Sequence, residues 1–380
     1  MQINSKLPHV GTTIFTVMSG LAKEYNAINL SQGFPDYDCD PKLLEQVKKY
    51  ALGGFNQYAP MTGVLPLRET ISELLSTCYD ATYHPDTEIT VTAGATQGIY
   101  TSIAAFISKG DEVIVFEPMY DCYIPAIEVN GGTAVPITLQ YPGFTINWDI
   151  VKKSVTDKTR MIIINTPHNP SGTTLTENDL LELQKLVVGK NIIVVSDEVY
   201  EHMAFDSKPH QSVARFKSLA QQSIVVSSFG KTIHATGWKI GYVAAPKELM
   251  TEFRKVHQFL VFSVNHALQM ALADYLKDAT TYKDLPIFYQ AKRDYFQKLI
   301  APSRFLLEPC TGTYFQLLNY KKITDEKDTD LAIRLTKEKG IASIPLSVFY
   351  TNQQQQQLLR FCFAKKDETL ERAAEILCKI

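Results

Sequence analysis

Five short apolar runs between residues 88 and 227 limit what this chain can fold into more than any other feature. Each run is rich in Ile and Val, and a longer amphipathic stretch separates it from the next. Runs this apolar suit strands that are covered on both faces, and their alternation with helical stretches is typical of a largely parallel sheet. A sixth run, 240–245, follows closely and is expected to pair antiparallel. The five runs are 88–93, 112–116, 161–164, 191–195 and 223–227.

The segments that directly follow these five runs share polar, glycine and aromatic residues. In open α/β sheets, ligands bind outside the carboxyl ends of the strands, so the five segments are expected to converge on one site. The low-complexity run 353–357 carries no such chemistry and is expected to form a surface loop. The five segments are 94–98, 117–120, 165–172, 197–200 and 228–231.

The chain of 380 residues is long enough for two domains. The α/β pattern gives way near residue 275 to charged helical stretches and further apolar runs, which favours a separate α+β unit. We therefore expect a large domain at 41–275 and a smaller C-terminal domain at 276–380. Residues 1–40, which include Pro8 and Gly11, resemble an extended arm that packs with the small domain.

Composition excludes several classes of partner. A formal net charge of -2 gives no basis for binding nucleic acid. The start of the chain has no signal-peptide pattern, and no apolar run reaches about 18 residues, so a cytoplasmic protein without a membrane partner is expected. The six cysteines lie far apart without a CxxC pair, which argues against a zinc site and a disulfide framework, and no metal is expected.

Lys231 is the candidate with the most informative surroundings. Gly230, Lys231 and Thr232 suggest a phosphate-binding P-loop, but GxxxxGK[ST] needs glycine at position 225, which is Val225. No GxGxxG follows the first run, so a nicotinamide cofactor is not indicated. A lysine in a dry pocket near other cations can instead have a lowered pKa, react with an aldehyde and carry protons. Alone, Lys231 would be interpreted as a surface lysine.

The neighbouring segments supply partners for a flat cofactor that carries an aldehyde, a pyridine nitrogen and a phosphate. Asp197 ends an uncharged run and could pair with a protonated ring nitrogen, although a helix cap or a turn is the alternative. Tyr200 and Asn169 could both reach the ring oxygen, and Asn169-Pro170 could equally be a plain turn. Tyr120 could stack on the ring or belong to the core.

The cofactor phosphate has its own set of candidates. The backbone amides of Ala95 and Thr96 stand where a helix is expected to begin, and helix N-termini bind phosphate. Ser228 and Lys239 could add a hydroxyl group and a positive charge, with a turn serine and a surface lysine as the alternatives.

Taken together, these motifs resemble the fold type I, class I aminotransferases that depend on pyridoxal 5'-phosphate. Similarity extends over essentially the whole chain, and it is closest to the branch of bacterial methionine aminotransferases and kynurenine aminotransferases. The resemblance implies a mostly parallel central sheet in the large domain and a Schiff base between the cofactor and Lys231. The motifs are 165–172, 196–200 and 228–239, with further similarity at 29–36, 56–63, 121–123, 262–265 and 360–365.

The resemblance also implies residues that spacing alone does not show. Arg360 would hold the substrate α-carboxylate, and Gly33 would line the substrate site. Tyr58 would reach the cofactor phosphate of a partner subunit, which makes the expected protein a homodimer with shared active sites. Asn265 and His266 would line the partner's substrate pocket.

The implied reaction is transamination between an amino acid and a 2-oxo acid, with methionine, aromatic or glutamine-like donors preferred. Asn265 favours methionine over kynurenine, since kynurenine-using relatives have an aromatic residue there, whereas His266 departs from the methionine pattern. Lys231 would act as general base and acid, assisted by Asp197 and Tyr200. A cysteine-S-conjugate β-lyase is the main alternative, followed by a cofactor-binding regulatory protein.

Overall fold

The computed structural model describes residues 3–380, in which a seven-stranded sheet is the largest element. The strands are β1 (Ile28–Asn29), β2 (Ile89–Thr92), β3 (Glu112–Glu117), β4 (Thr133–Thr138), β5 (Thr159–Asn165), β6 (Ile193–Asp197), β7 (Ser223–Ser228), β8 (Gly241–Ala244), β9 (Leu306–Leu307), β10 (Phe315–Asn319), β11 (Ile341–Ala342), β12 (Ile344–Pro345) and β13 (Leu358–Cys362).

Helices cover both faces of this sheet and also pack beside a smaller, four-stranded sheet. The helices are α1 (Ile14–Glu24), α2 (Pro41–Leu52), α3 (Leu65–Tyr79), α4 (Ala95–Phe106), α5 (Tyr123–Val129), α6 (Trp148–Ser154), α7 (Glu177–Val187), α8 (Lys217–Ala220), α9 (Phe229–Thr232), α10 (Lys247–Leu260), α11 (His266–Tyr275), α12 (Thr280–Lys283), α13 (Leu285–Ile300), α14 (Asp328–Arg334) and α15 (Asp367–Leu377).

The large sheet has the order β2-β8-β7-β6-β5-β3-β4, and all its strands except β8 run in one direction. The six strands expected from the apolar runs are present, and β8 pairs antiparallel with β2 and β7, as predicted. Alternate residues of β3 face opposite cores: Val113 and Val115 pack into one cluster, whereas Ile114 and Phe116 pack into the other. Burial on both faces explains why these runs contain so few polar residues.

Strand β4 was not predicted from the sequence. It pairs parallel with β3 at the edge of the sheet, where Pro136 lies opposite Val115. An edge strand can hold a proline because one row of its backbone amides has no partner strand, and a half-exposed strand lacks a continuous apolar run. The strand therefore lacks the continuous apolar run by which the other strands of this sheet were predicted.

The C-terminal part of the chain forms an antiparallel sheet in the order β12-β13-β10-β9, with α13 and α15 packed together beside it. The apolar runs expected there became β10, β13 and the pair β11 and β12. The predicted divisions after residues 40 and 275 stay predictions.

The N-terminal segment differs from the extended arm that was expected, because it contains helix α1. The Thr13 side chain caps this helix by accepting a hydrogen bond from the amide of Thr16 at 3.4 Å. Met18 and Ala22, one helical turn apart, are buried, and α1 contacts β11. The following strand β1 pairs parallel with β11, so residues near 28 are attached to the C-terminal part of the chain.

Candidate active site

A cavity of about 410 Å³ opens at the carboxyl edge of the large sheet, between that sheet, the N-terminal segment and strand β13. All five segments that follow the predicted strands contribute to it. Eleven of the predicted site residues line this cavity: Gly33, Ala95, Thr96, Tyr120, Asn169, Asp197, Tyr200, Ser228, Lys231, Lys239 and Arg360.

Lys231 lies on the short helix α9, which begins directly after β7 and projects the side chain into the cavity. Its Nζ donates a hydrogen bond to the carbonyl oxygen of Gly33 at 3.3 Å and lies 5.7 Å from the centroid of the Tyr200 ring. Burial lowers the pKa of Lys231 to about 8, and the charges of Lys239 and Arg360 also lower it. A substantial neutral fraction near pH 8 makes the amine a competent nucleophile and proton acceptor.

Asp197 ends β6 and is almost completely buried, with 3% of its surface exposed. The Tyr123 hydroxyl donates to Oδ2 at 2.6 Å, and the Val199 amide donates to Oδ1 at 3.3 Å. Burial raises the pKa of Asp197 to about 6. Within residues 3–380 this carboxylate has no salt bridge, so the cavity presents a buried anion that a cation could neutralise.

Positive charge lies at the N-terminus of α4, on the side chain of Lys239 and on free backbone amides. Gly94 caps this helix with a φ of 78°, and a Cβ atom built there would lie 3.3 Å from Nζ of Lys239. The Lys239 ammonium group therefore lies beside the free backbone amides of Ala95 and Thr96. Ser228 lines the same cavity, so this end offers amides, a hydroxyl and a positive charge to an anion.

Two asparagines join the neighbouring segments. Asn165 accepts a hydrogen bond from the amide of Asn169 at 2.8 Å and donates one to the carbonyl oxygen of Asp197, also at 2.8 Å. This pairing fixes Asn169 and Asp197 relative to each other. The Asn169 side chain in turn accepts from Arg360.

Arg360 lies on β13 and has only 1% of its surface exposed. Its Nη1 donates to Asn169 Oδ1 at 2.6 Å, its Nη2 donates to the Ser31 carbonyl at 3.1 Å, and its Nε is buried without a partner. The Phe315 ring lies 3.9 Å from the guanidinium carbon. Burial lowers the pKa of Arg360 to about 10, which still leaves it charged at neutral pH. A buried guanidinium without an acidic partner is suited to a ligand carboxylate.

Two aromatic residues complete the walls. Tyr200 is 3% exposed, and its ring meets that of Tyr314 edge to face at 5.2 Å. Burial raises the pKa of Tyr200, so its hydroxyl keeps its proton and can donate a hydrogen bond. Tyr120 also lines the cavity, and its ring contacts that of Tyr123 edge to face at 6.0 Å.

Three predicted residues do not reach this cavity in the single chain. Tyr58, Asn265 and His266 lie together on another surface, where 81% of Tyr58 is exposed. Asn265 caps α11 by accepting from the Leu268 amide at 3.0 Å, and His266 contacts the carbonyl oxygen of Gln57. Their contribution to a partner's site stays a prediction.

The cavity also contains residues that were not predicted. Asn165 and Asp121 follow two of the predicted strands, so their positions in the sequence could have been used to predict that they lie in the site. Tyr123 acts from behind Asp197, and nothing in the sequence indicates that contact. The other unpredicted lining residues are Thr13, Phe15, Gln32, Ile99, Val199, Thr236 and Phe315.

Comparison with known proteins decides the family. The family model described as aminotransferase class I and II matches residues 25–377, nearly the whole chain. This chain belongs to the class I and II aminotransferases. The expected fold type I architecture and the expected transfer of amino groups between amino acids and 2-oxo acids are thereby confirmed.

This aminotransferase is similar to two relatives and one solved structure of named activity. The methionine aminotransferase of Escherichia coli K12 is 48% identical over 98% of this chain and 97% of its own length. A crystal structure from Escherichia coli, reported with a methionine aminotransferase function, has a TM-score of 0.98 and 47% identity, with full coverage of both chains. A kynurenine–oxoglutarate transaminase of Dictyostelium discoideum is 33% identical over 97% of this chain and 94% of its own length.

Proposed function

We propose that this aminotransferase binds pyridoxal 5'-phosphate covalently through Lys231, works as a homodimer with shared sites and prefers methionine as amino donor. The observation that carries the proposal is one cavity that combines a lysine of lowered pKa with a buried carboxylate and a buried guanidinium, neither of which has a salt-bridge partner within residues 3–380.

The charges of the cavity match the parts of this cofactor. The α4 amides, together with Lys239 and Ser228, form a binding site for the phosphate, and Gly94 has no side chain that would fill this site. Asp197 offers its buried carboxylate to the pyridine nitrogen and would keep that nitrogen protonated. When bound, the cofactor supplies an aldehyde for the amino group and a ring that withdraws electrons.

The remaining residues would bind and orient the amino acid. Arg360 and Asn169 would hold its α-carboxylate, which fixes the orientation of the bonds at the substrate Cα. Lys231 Nζ, once released, would take the Cα proton, because its lowered pKa suits a general base at neutral pH. Tyr200 would donate its hydroxyl hydrogen to the ring oxygen.

A homodimer is supported by the apolar surface around Tyr58. Phe262, which packs on Tyr58, is 50% exposed. Phe259, three residues earlier in the chain, is 87% exposed, and Leu52, which follows Ala51 of the same surface, is 80% exposed. Exposed apolar patches mark protein interfaces. In the dimer, Tyr58, Asn265 and His266 would complete the partner's site. A cytoplasmic location stays a prediction that fractionation of the source cells would check.

Half-reactions of the loaded enzyme with single amino acids test the proposed reaction. We expect kcat/KM to be highest for methionine among methionine, phenylalanine, glutamine and kynurenine, with the matching 2-oxo acid as product. Arg360→Gln should lower kcat/KM for every donor by on the order of 10²-fold, because each donor carries the α-carboxylate. Pyruvate and ammonia from a cysteine S-conjugate, without transamination of methionine, would identify a β-lyase instead.

A further inference from the structure

Asp121 is an acidic residue of the cavity that the proposed reaction leaves without a role. It follows Tyr120 and lies in the turn between β3 and α5, where it lines the cavity together with Lys231 and Arg360. Its side chain forms no hydrogen bond or salt bridge with another residue in the described part of the chain, and part of its surface remains exposed in the single chain. Its carboxylate is therefore available to meet a ligand.

The negative charge of Asp121 interacts with Arg360, the residue proposed to bind the substrate α-carboxylate. Partial burial raises the pKa of Asp121, and the positive charge of Arg360 lowers it. Arg360 nevertheless directs its Nη atoms to Asn169 and Ser31, so it does not pair with Asp121. A substrate whose α-carboxylate binds Arg360 would thus place its remaining atoms in a cavity that also holds an uncompensated negative charge.

The positive charges of the cavity are all assigned elsewhere. Its lining in residues 3–380 contains three Lys or Arg side chains, namely Lys231, Lys239 and Arg360. Under the proposed function these serve the cofactor aldehyde, the cofactor phosphate and the substrate α-carboxylate. The surface expected to complete the partner's site, which includes Tyr58, Asn265 and His266, has no Lys or Arg among its lining residues. Among the described residues that line these two surfaces, no Lys or Arg side chain therefore remains for a second carboxylate.

We propose that Asp121 determines specificity by repelling substrates with a negatively charged side chain, so that amino acids and 2-oxo acids with neutral side chains are accepted. This inference rests on the proposed function. Placing two like charges in one partly desolvated cavity costs free energy, and rejection of this kind discriminates between ligands without any added contact to the preferred one. Glutamate is the test compound, since its side chain carries a second carboxylate.

Kinetics of the loaded enzyme with methionine and glutamate test this role. Asp121→Asn should raise the ratio of kcat/KM for glutamate to kcat/KM for methionine by about tenfold, since it removes the repulsion. Asp121→Glu, which keeps the charge, should leave that ratio low. Glu128→Gln removes an exposed charge on α5 and should leave the ratio unchanged, which controls for net charge. An Asp121→Asn ratio within twofold of wild type would overturn the proposal.

Binding of unreactive acids separates this inference from the proposed function. Calorimetry should show that Asp121→Asn tightens the binding of maleate relative to butyrate by about tenfold, and that added salt reduces the difference between wild type and variant. Equal ratios in both proteins would contradict the role of Asp121 even if methionine is transaminated. A wild type that binds both acids and discriminates through Asp121, yet fails to transaminate methionine, would refute the proposed function alone.

Discussion

At the scale of single residues, the chemistry depends on three charged groups held away from water. Lys231, Asp197 and Arg360 each have a pKa moved in the direction that favours the neutral form, with burial as the largest cause. Such shifts cost folding free energy in the protein without ligands, since each charge is better solvated in water. Ligands that bring a positive charge to Asp197 and a negative charge to Arg360 would recover part of that free energy.

The lowered pKa of Lys231 predicts how the cofactor-free protein takes up pyridoxal 5'-phosphate. Only the neutral amine attacks an aldehyde, so the rate should rise with pH and level off above about 8. A free lysine side chain, with an ordinary pKa near 10.4, should show its midpoint more than two pH units higher. Stopped-flow absorbance over pH 6 to 10 measures the midpoint. If the pH midpoint of the protein were as high as that of Nα-acetyl-lysine, which keeps a free side-chain amine, the pKa of Lys231 would not be lowered.

How far the sequence predicts the site depends on where each residue lies. Asp197, Asn169 and Lys231 were found because they follow apolar strands, and the strand ends meet at one edge. Tyr123 could not be found, because its contact with Asp197 connects α5 to β6 across sequence-distant positions. Phe15 was missed for a similar reason, since the N-terminal segment reaches the cavity only through its packing on the C-terminal part.

At the scale of elements, the start of α4 is the most constrained feature. Gly94 has a φ of 78°, and a Cβ atom there would lie 3.3 Å from Nζ of Lys239, so a side chain would be strained and would push the ammonium group aside by a few tenths of an ångström. Gly54 has a φ of 91°, but a Cβ atom at that position would meet no other atom within 4 Å. Comparing alanine substitutions at the two positions therefore distinguishes the effect of backbone strain from damage to the anion-binding site at the start of α4.

We predict that Gly94→Ala weakens binding of pyridoxal 5'-phosphate at least tenfold, whereas Gly54→Ala does not change it. Both variants should lose roughly 1 kcal/mol of unfolding free energy because both force alanine to a positive φ. Equilibrium dialysis and urea denaturation measure the two quantities. Equal affinities for the cofactor in wild type and Gly94→Ala would show that this helix end does not hold the phosphate.

Strands that were predicted from the sequence are more buried than the strand that was missed. Strands β3, β5, β6 and β7 lie inside the sheet and appear as unbroken apolar runs, whereas β4 lies at the edge and includes Pro136. Helix α1 was interpreted as extended because Pro8 and Gly11 precede it. Its cap at Thr13 and the spacing of Met18 and Ala22 were signals in the sequence, but their burial depends on distant strands.

At the scale of the whole molecule, the apolar surface near Tyr58 is the proposed dimer interface. We predict that Phe259→Glu produces a monomer with weakened cofactor binding, because a charge on the proposed apolar interface remains unpaired. Ile287→Glu changes an equally apolar residue, 74% exposed on α13, and should leave the oligomeric state unchanged. Sedimentation velocity distinguishes the outcomes. A Phe259→Glu dimer would place the interface elsewhere.

The central claim is that Lys231 holds the cofactor covalently, and reduction of the loaded protein with borohydride followed by peptide mass mapping tests it most directly. The result expected is a single phosphopyridoxyl adduct on the peptide that contains Lys231, absent from Lys231→Ala, with loss of the visible absorbance of the wild type. An adduct on another lysine, or the same adduct in Lys231→Ala, would contradict the account.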